Sequence, residues 1–177
     1  MGIILTILYV IGGIIALFLI IALLTKKEFR LEKQIIINKP KLEVFDYLKL
    51  IKNQENYSVW VMKDPAIKLV YTGTDGTVGF TSSWESDNKN VGIGEQEIKK
   101  LTDGENMEVE IRFKKPFEAT NYALTTVTSV DGGTNVSTLF SGKSKFPMNI
   151  MNLFMDKLIG KDMVQNLVNM KNILEKQ

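Results

Sequence analysis

Acid–base chemistry in this chain falls to carboxylates and hydroxyls, because it contains neither cysteine nor histidine. That composition removes disulfides, Cys/His zinc sites, thiol nucleophiles and every Ser-His or Cys-His pair. The carboxylates with a pattern are Glu85 beside Trp84, Glu95 and Glu97 alternating along one run, and Glu108 and Glu110 along another. A general base needs a perturbed pKa within reach of a substrate. No two of these groups converge in the sequence, and a solvated strand face explains them, with Arg112 as a cross-strand ion-pair partner. Asp156 and Asp162 read the same way on the last helix. No catalytic residue, metal ligand or cofactor is assigned. A cyclase or hydrolase would have to draw on Tyr122, Thr126, Thr138 or Ser82 together with an unrecognised carboxylate. Gly92-Ile93-Gly94 lies inside a strand pattern with no helix after it, so it is not a phosphate loop.

The bulky apolar residues offer a binding chemistry instead. Phe80, Trp84, Phe113, Tyr122 and Phe140 fall on predicted strands, Trp60 on a loop, and Met151, Met155 and Met163 on a predicted final helix. Five of the eight methionines lie between Met148 and Met170. Methionine is flexible and polarizable and recurs where a surface accepts varied apolar partners. Tryptophan and tyrosine add a polar tip to an apolar body. These nine residues are the candidate lining of an apolar cavity. An ordinary core would use the same residue types.

The elements that must carry these side chains are legible from hydrophobic period. Residues 28–38, with Ile35-Ile36-Ile37, read as a first strand. Pro40 opens a short helix to about residue 50, with Leu42, Phe45 and Leu48 at helical spacing, and an irregular or helical piece continues to about Tyr57. From Ile67 the period becomes two. Met107, Val109, Ile111 and Phe113 alternate with Glu108, Glu110, Arg112 and Lys114, the clearest half-buried strand. Phe80, Ser82 and Trp84 share a face, as do Tyr122, Leu124 and Thr126, and Val136, Thr138 and Phe140. Turn signals between the runs, such as Thr102-Asp103-Gly104 and Asp131-Gly132-Gly133, make neighbouring strands antiparallel. A long helix over 147–175 closes the chain, with Met151, Phe154, Met155, Leu158, Met163, Leu167, Met170 and Leu174 forming one apolar stripe.

Residues 3–24 are nearly all Ile, Leu, Val, Ala and Phe, and carry no charge. At ~1.5 Å per residue this run reaches roughly 33 Å, enough for a hydrocarbon core of ~30 Å. No basic residue precedes it, it exceeds the apolar core of a signal peptide, and no small-x-small site precedes Lys26. The expectation is a transmembrane anchor, residues 1–25, followed by one domain, residues 26–177. Lys26, Lys27, Arg30 and Lys33 follow the helix, so the positive-inside rule places the domain in the cytoplasm. The net charge of +2, without long runs of one sign, gives no basis for a nucleic-acid partner. Nothing in the sequence identifies a protein partner.

Several stretches resemble the polyketide cyclase/dehydrase and lipid-transport group of the START-like (SRPBCC) superfamily. They are Ile35-Ile36-Ile37-Asn38-Lys39-Pro40 leading to Val44-Phe45-Asp46, Tyr57-Ser58-Val59-Trp60 before Asp64-Pro65, and Gly79-Phe80-Thr81-Ser82-Ser83-Trp84. Gly92-Ile93-Gly94-Glu95, Lys115-Pro116-Phe117 and the run from Asn152 to Asp162 continue the order, which covers most of residues 30–175. The chain departs around Tyr57 and Val59, where the family pattern leads one to expect a second Trp and a Pro; this bears on the pocket entrance, not on the fold. The resemblance implies an α+β helix-grip fold. About seven antiparallel strands curve around the long C-terminal helix, with a cavity between them. The implied function is a membrane-tethered module for an apolar small molecule or lipid. A cyclase or hydrolase using the same cavity, and a docking domain without a ligand, remain the alternatives.

Overall fold

The structure, a computed structural model, describes residues 2–176. Helix α1 (Gly2–Leu24) is apolar on every side and exposed along its length, apart from Ala22 at 1% exposure. It is long and apolar enough to cross a membrane. Strand β1 (Glu28–Ile37) follows after three residues, so the domain begins where the helix ends.

The helical piece after β1 is broken into four. Helix α2 (Lys41–Leu48) buries Val44, Phe45 and Leu48. A 3-10 turn (Ile51–Asn53), helix α3 (Gln54–Tyr57) and helix α4 (Val59–Met62) follow. The Asp75 carboxylate holds the break, accepting the backbone N–H of Ile51 (2.8 Å) and of Lys52 (3.0 Å).

Six further strands complete an antiparallel sheet: β2 (Lys68–Thr72), β3 (Thr81–Glu85), β4 (Ile93–Thr102), β5 (Asn106–Lys115), β6 (Ala119–Val130) and β7 (Gly133–Lys143). Their spatial order is β1-β7-β6-β5-β4-β3-β2. The meander follows from the short turns. Gly104 at the β4–β5 turn has φ +68°, a conformation open to glycine at no steric cost. Strand β1 joins the far edge through β7, with Ile35 opposite Val136. Register shifts in β4 between Ile93 and Gly94 and between Ile98 and Lys100 mark bulges, which bend the strand and deepen the curve.

The long C-terminal helix is present but wound in three ways. Met148–Phe154 is 3-10, Asp156–Gly160 is a π turn, and only α5 (Lys161–Lys176) is regular α-helix. The expected single stripe divides accordingly. Met163, Leu167, Met170 and Leu174 are buried, whereas Met151, Phe154 and Leu158 are exposed. Two local features account for the change. Asn149 turns its side chain onto the end of α1 at Ala22 and Thr25, and Asn152 onto Lys26 and Lys27 just after it. Gly160 is buried, and a Cβ there would lie 2.2 Å from Asp156 Oδ1, whose carboxylate pairs with Lys33 (2.6 Å). One core joins α2, the sheet and α5, built on Ile37, Phe45, Ile98, Val136 and Leu174, each essentially without exposure.

Candidate functional site

Beside that core, the concave face of the sheet and the helices enclose a cavity of about 420 Å³. This is within the range of small-molecule sites, ~300–1,000 Å³. Strand period decides what lines it. On β5 the inward residues Met107, Val109, Ile111 and Phe113 all reach the space, while Glu108, Glu110 and Arg112 face outward. On β7 Thr138 and Phe140 do so, and on β3 Ser82 and Trp84. From the helical side come Trp60 of α4, Met155 and Ile159 of the irregular turns, and Met163, Leu167 and Met170 of α5.

Trp84 is held on three sides. Its Nε1 donates to the Val91 carbonyl (3.3 Å), and its ring meets Phe113 edge-on at 5.7 Å. Its ring also covers Gly94 on the paired strand: a Cβ there would lie 2.5 Å from Trp84 Cζ2. Phe140 packs on Phe29 of β1 at 5.6 Å, a tilted pair that closes the other flank. Such pairs prefer these offset geometries because ring faces are negative and edges positive.

Polar groups interrupt the apolar wall in a few places. Gln96 Nε2 donates to Gln54 Oε1 (2.8 Å), joining β4 to α3. The Tyr71 hydroxyl donates to Glu55 Oε1 (2.6 Å). Burial, followed by the hydrogen bond to Glu55 and its charge, raises the Tyr71 phenol well above its ordinary pKa. Burial and the adjacent Tyr47 raise Tyr57 likewise. Both phenols stay protonated across the physiological range, and that of Tyr71 donates to Glu55. The Thr125 and Thr138 hydroxyls lie 3.1 Å apart on adjacent strands. Asn166 Oδ1 accepts the Val59 N–H (2.8 Å) and fixes α4 against α5. Among the described residues lining the cavity, Glu55 is the sole carboxylate and no Lys or Arg is present. One carboxylate with no His or Cys is not a metal-binding donor set.

Of the nine candidate residues, Trp60, Trp84, Phe113, Phe140, Met155 and Met163 come together around this space. Three do not. Phe80 is 1% exposed in the solid core, stacked behind Tyr71 at 6.0 Å, because it precedes β3 and pairs through its backbone with Ile98. Tyr122 is 40% exposed on the convex face, where its hydroxyl donates to Glu110 Oε2 (3.1 Å). The inward residues of β6 are Asn121, Ala123, Thr125 and Val127, so the face assigned from Tyr122, Leu124 and Thr126 is the outer one. Met151 is 38% exposed, because Asn149 and Asn152 take the inward directions of its 3-10 turn. Of the hydroxyls considered for catalysis, Ser82 and Thr138 line the cavity, and Tyr122 and Thr126 do not.

The strand carboxylates sit on the convex face, as their pattern suggested. Arg112 Nε donates to Glu95 (2.7 Å), and its Nη1 to Glu97 (2.9 Å) and to Glu110. Lys114 and Arg112 lower the Glu95 pKa, and Lys99 and Arg112 that of Glu97. Gln54, Glu55, Tyr71, Gln96, Asn121 and Asn166 also line the cavity, a polar set that hydrophobic period alone does not reveal. Two of these carry a readable signal. Gln96 occupies an inward position of β4 between Gly94 and Ile98, and Asn166 adjoins the buried stripe of α5.

No protein-family profile matches the chain, and no curated protein matches it either. Solved structures do. Ara h 8.0201 superposes with a TM-score of 0.58 at 12% identity, over 85% of this chain and 99% of that one. Protein MLL2253 from Mesorhizobium loti gives 0.60 at 15% identity, over 84% and 98%. The di-domain ARO/CYC StfQ from the steffimycin biosynthetic pathway gives 0.62 at 10% identity, over 84% of this chain and 51% of that one. At such identities the likeness establishes the helix-grip fold, a seven-stranded antiparallel sheet gripping a long C-terminal helix, and does not establish activity.

Proposed function

We propose that this protein is a membrane-tethered binding module that holds an apolar small molecule or lipid between its sheet and its C-terminal helix. The observation that carries this reading is the cavity of about 420 Å³ walled by Trp60, Trp84, Phe113, Phe140, Met155 and Met163. Burying apolar ligand surface there is favourable by ~25 cal/mol per Å². The lining also bounds the ligand's polar end. With Glu55 present and no cation in the wall, a carboxylate or phosphate would be desolvated without a counter-charge, at considerable cost. Gln54, Gln96, Asn121 and the Tyr71 hydroxyl suit a neutral hydroxyl or carbonyl group. The length of α1 supports the tether, and the basic residues after it support a cytoplasmic domain.

Native mass spectrometry of the detergent-solubilised full chain, before and after incubation with a lipid extract, tests this. The expected result is a retained neutral apolar adduct that is lost in Trp84→Ala or Met155→Ala. A clean apo mass under both conditions, beside a folded protein, defeats the reading.

One observation favours a second reading, an enzyme of the cyclase or hydrolase kind. Glu55 is a carboxylate at the cavity, hydrogen-bonded to a phenol that can donate. Turnover of a captured ligand that Glu55→Gln abolishes, while leaving its binding intact, would establish that reading.

A further inference from the structure

We infer that the irregular segment 146–159 is itself embedded in the interfacial layer of the bilayer, beside the end of α1, so that one wall of the cavity faces lipid rather than water. This rests on the proposed tether and extends it to a surface of the soluble domain.

The first observation is an asparagine clamp. Asn149 is fully buried, and its Nδ2 donates to the carbonyls of Ala22 (2.6 Å) and Thr25 (2.8 Å). Asn152 Nδ2 donates to the carbonyls of Lys26 and Lys27 (3.0 Å each), and Ser144 fixes Asn152 Oδ1 (2.7 Å). The last carbonyls of a helix have no partner within it. Water would satisfy them at an exposed end, but no water is available within hydrocarbon. The clamp supplies a donor to one of these, Ala22, and donors to the Thr25, Lys26 and Lys27 carbonyls just beyond, and so pins the 3-10 turn Met148–Phe154 to the level where α1 leaves the membrane.

The second observation is what that turn presents. Phe146, Met148, Leu153, Phe154 and Leu158 are all exposed, with Leu153 at 60%. A run of large apolar side chains is unusual on a water-facing surface and marks an interaction site. Lys26, Lys27, Lys157 and Lys161 are exposed around it. Their stems can cover apolar surface while the ammonium groups reach lipid headgroups. Apolar side chains at the level of the acyl boundary with lysines at its rim describe an interfacial segment. The bilayer is therefore the occupant: the patch is continuous with the anchor and held by four side-chain hydrogen bonds, two to the anchor at Ala22 and Thr25 and two to Lys26 and Lys27 directly after it.

The third observation links the surface to the site. Met155 and Ile159 line the cavity, while Phe154 and Leu158 face outward. A single helical layer, partly in π winding, separates the cavity from the patch. Short π segments inside helices are frequent at functional sites. An apolar ligand would cross this layer from lipid and avoid water.

The chain lacks cysteine, so single-cysteine variants take a fluorophore only where it is placed. An environment-sensitive label (NBD) is put at Leu17, Leu153, Phe154, Leu158 and Asp131 in five variants of the full chain. Each is reconstituted in vesicles of phosphatidylcholine and phosphatidylglycerol carrying nitroxide lipids, shallow or deep. Asp131 lies in the β6–β7 turn, at the end of the sheet away from Glu28. The labelled domain positions are exposed, so the label displaces no core. The expected result is deep quenching at Leu17, several-fold stronger shallow quenching at 153, 154 and 158 than at Asp131, and a blue-shifted emission at those three. Quenching at Leu17 with 153, 154 and 158 behaving like Asp131 overturns the inference and leaves the tether standing. No quenching at Leu17 or at the segment overturns both.

Discussion

Ala123→Leu asks whether the space beneath the sheet is a cavity or a loosely drawn core, because the two answers differ in sign. Ala123 sits mid-strand in β6, opposite Val109 on one side and Phe140 on the other, and faces the cavity. Leucine adds three carbons. At ~0.8 kcal/mol per buried methylene the gain is about 2.4 kcal/mol, less ~0.5–1 kcal/mol of lost rotamer freedom. Entry into open space requires no backbone shift, so delipidated protein should be stabilised by about 1.5 kcal/mol. In a filled core the same carbons overpack, and the variant would lose ~1–3 kcal/mol. Trp60 and Trp84 both line the space, so their fluorescence follows denaturant unfolding of the detergent-solubilised chain directly. Binding should move oppositely: a smaller cavity takes up less of the apolar adduct seen by native mass spectrometry, and the stabilisation that ligand confers through linkage falls. Destabilisation, or stabilisation with undiminished ligand uptake, would refute the reasoning.

Three further perturbations probe the parts around the site. Gly94→Ala puts a Cβ 2.5 Å from Trp84 Cζ2 and 2.7 Å from the Arg112 carbonyl, and the carbonyl cannot give way. A loss of ~1–3 kcal/mol and a shifted tryptophan emission are expected, read by denaturant titration. Asn149→Ala leaves the Ala22 and Thr25 carbonyls without their donor, a loss of ~1–3 kcal/mol that hydrogen exchange and limited proteolysis near residues 22–27 should detect as local opening. Acid should expose the convex-face network. Lys114 and Arg112 hold Glu95, and Lys99 and Arg112 hold Glu97, below their ordinary pKa values. Their contribution is therefore present above the unfolded carboxylate value of ~4.3 and lost as pH falls through the lower folded values. Melting temperature should fall over that window less steeply in Arg112→Gln than in the parent chain, and equal slopes would remove the network from the account.

The elements with strong period and a polar partner face were legible. Strand β5 is the clearest: its alternation placed Met107, Val109, Ile111 and Phe113 inward and Arg112 among carboxylates, where the structure has them. In strand β6 the largest residue, Tyr122, lies on the outer face, so bulk alone points to the wrong side. Its inward residues are small or polar, and burial there is defined by the void they border, not by their own bulk. The N-terminal half of the last helix failed for a different reason. The spacing of Met151, Phe154 and Leu158 suits an α-helical stripe, but a stripe buries only where a partner surface faces it. Asn149 and Asn152 carry that information through contacts more than a hundred residues away. Those contacts are long-range and leave no periodic trace.

Small residues on the inner face tie these observations together. Glycine inside a strand is unfavourable, since it is costly in conformational entropy and packs no side chain. Yet β4 and β7 each carry one facing inward. At Gly94 the vacant side is filled by the ring of Trp84, and at Gly142 by the Asn121 amide and by Phe29, where a Cβ would lie 2.0 Å from Asn121 Oδ1. At Gly94 the missing Cβ leaves room for the lining Trp84 ring against the sheet, and Ala123, between Val109 and Phe140, fills little of the space it faces. A strand sequence selected only for stability would place Val or Ile at all three. The sheet therefore forgoes strand stability at the points that keep the cavity open and its aromatic wall thin. That pattern of small inward residues flanked by aromatics, more than the aromatics themselves, separates a layer that borders a cavity from a solid core.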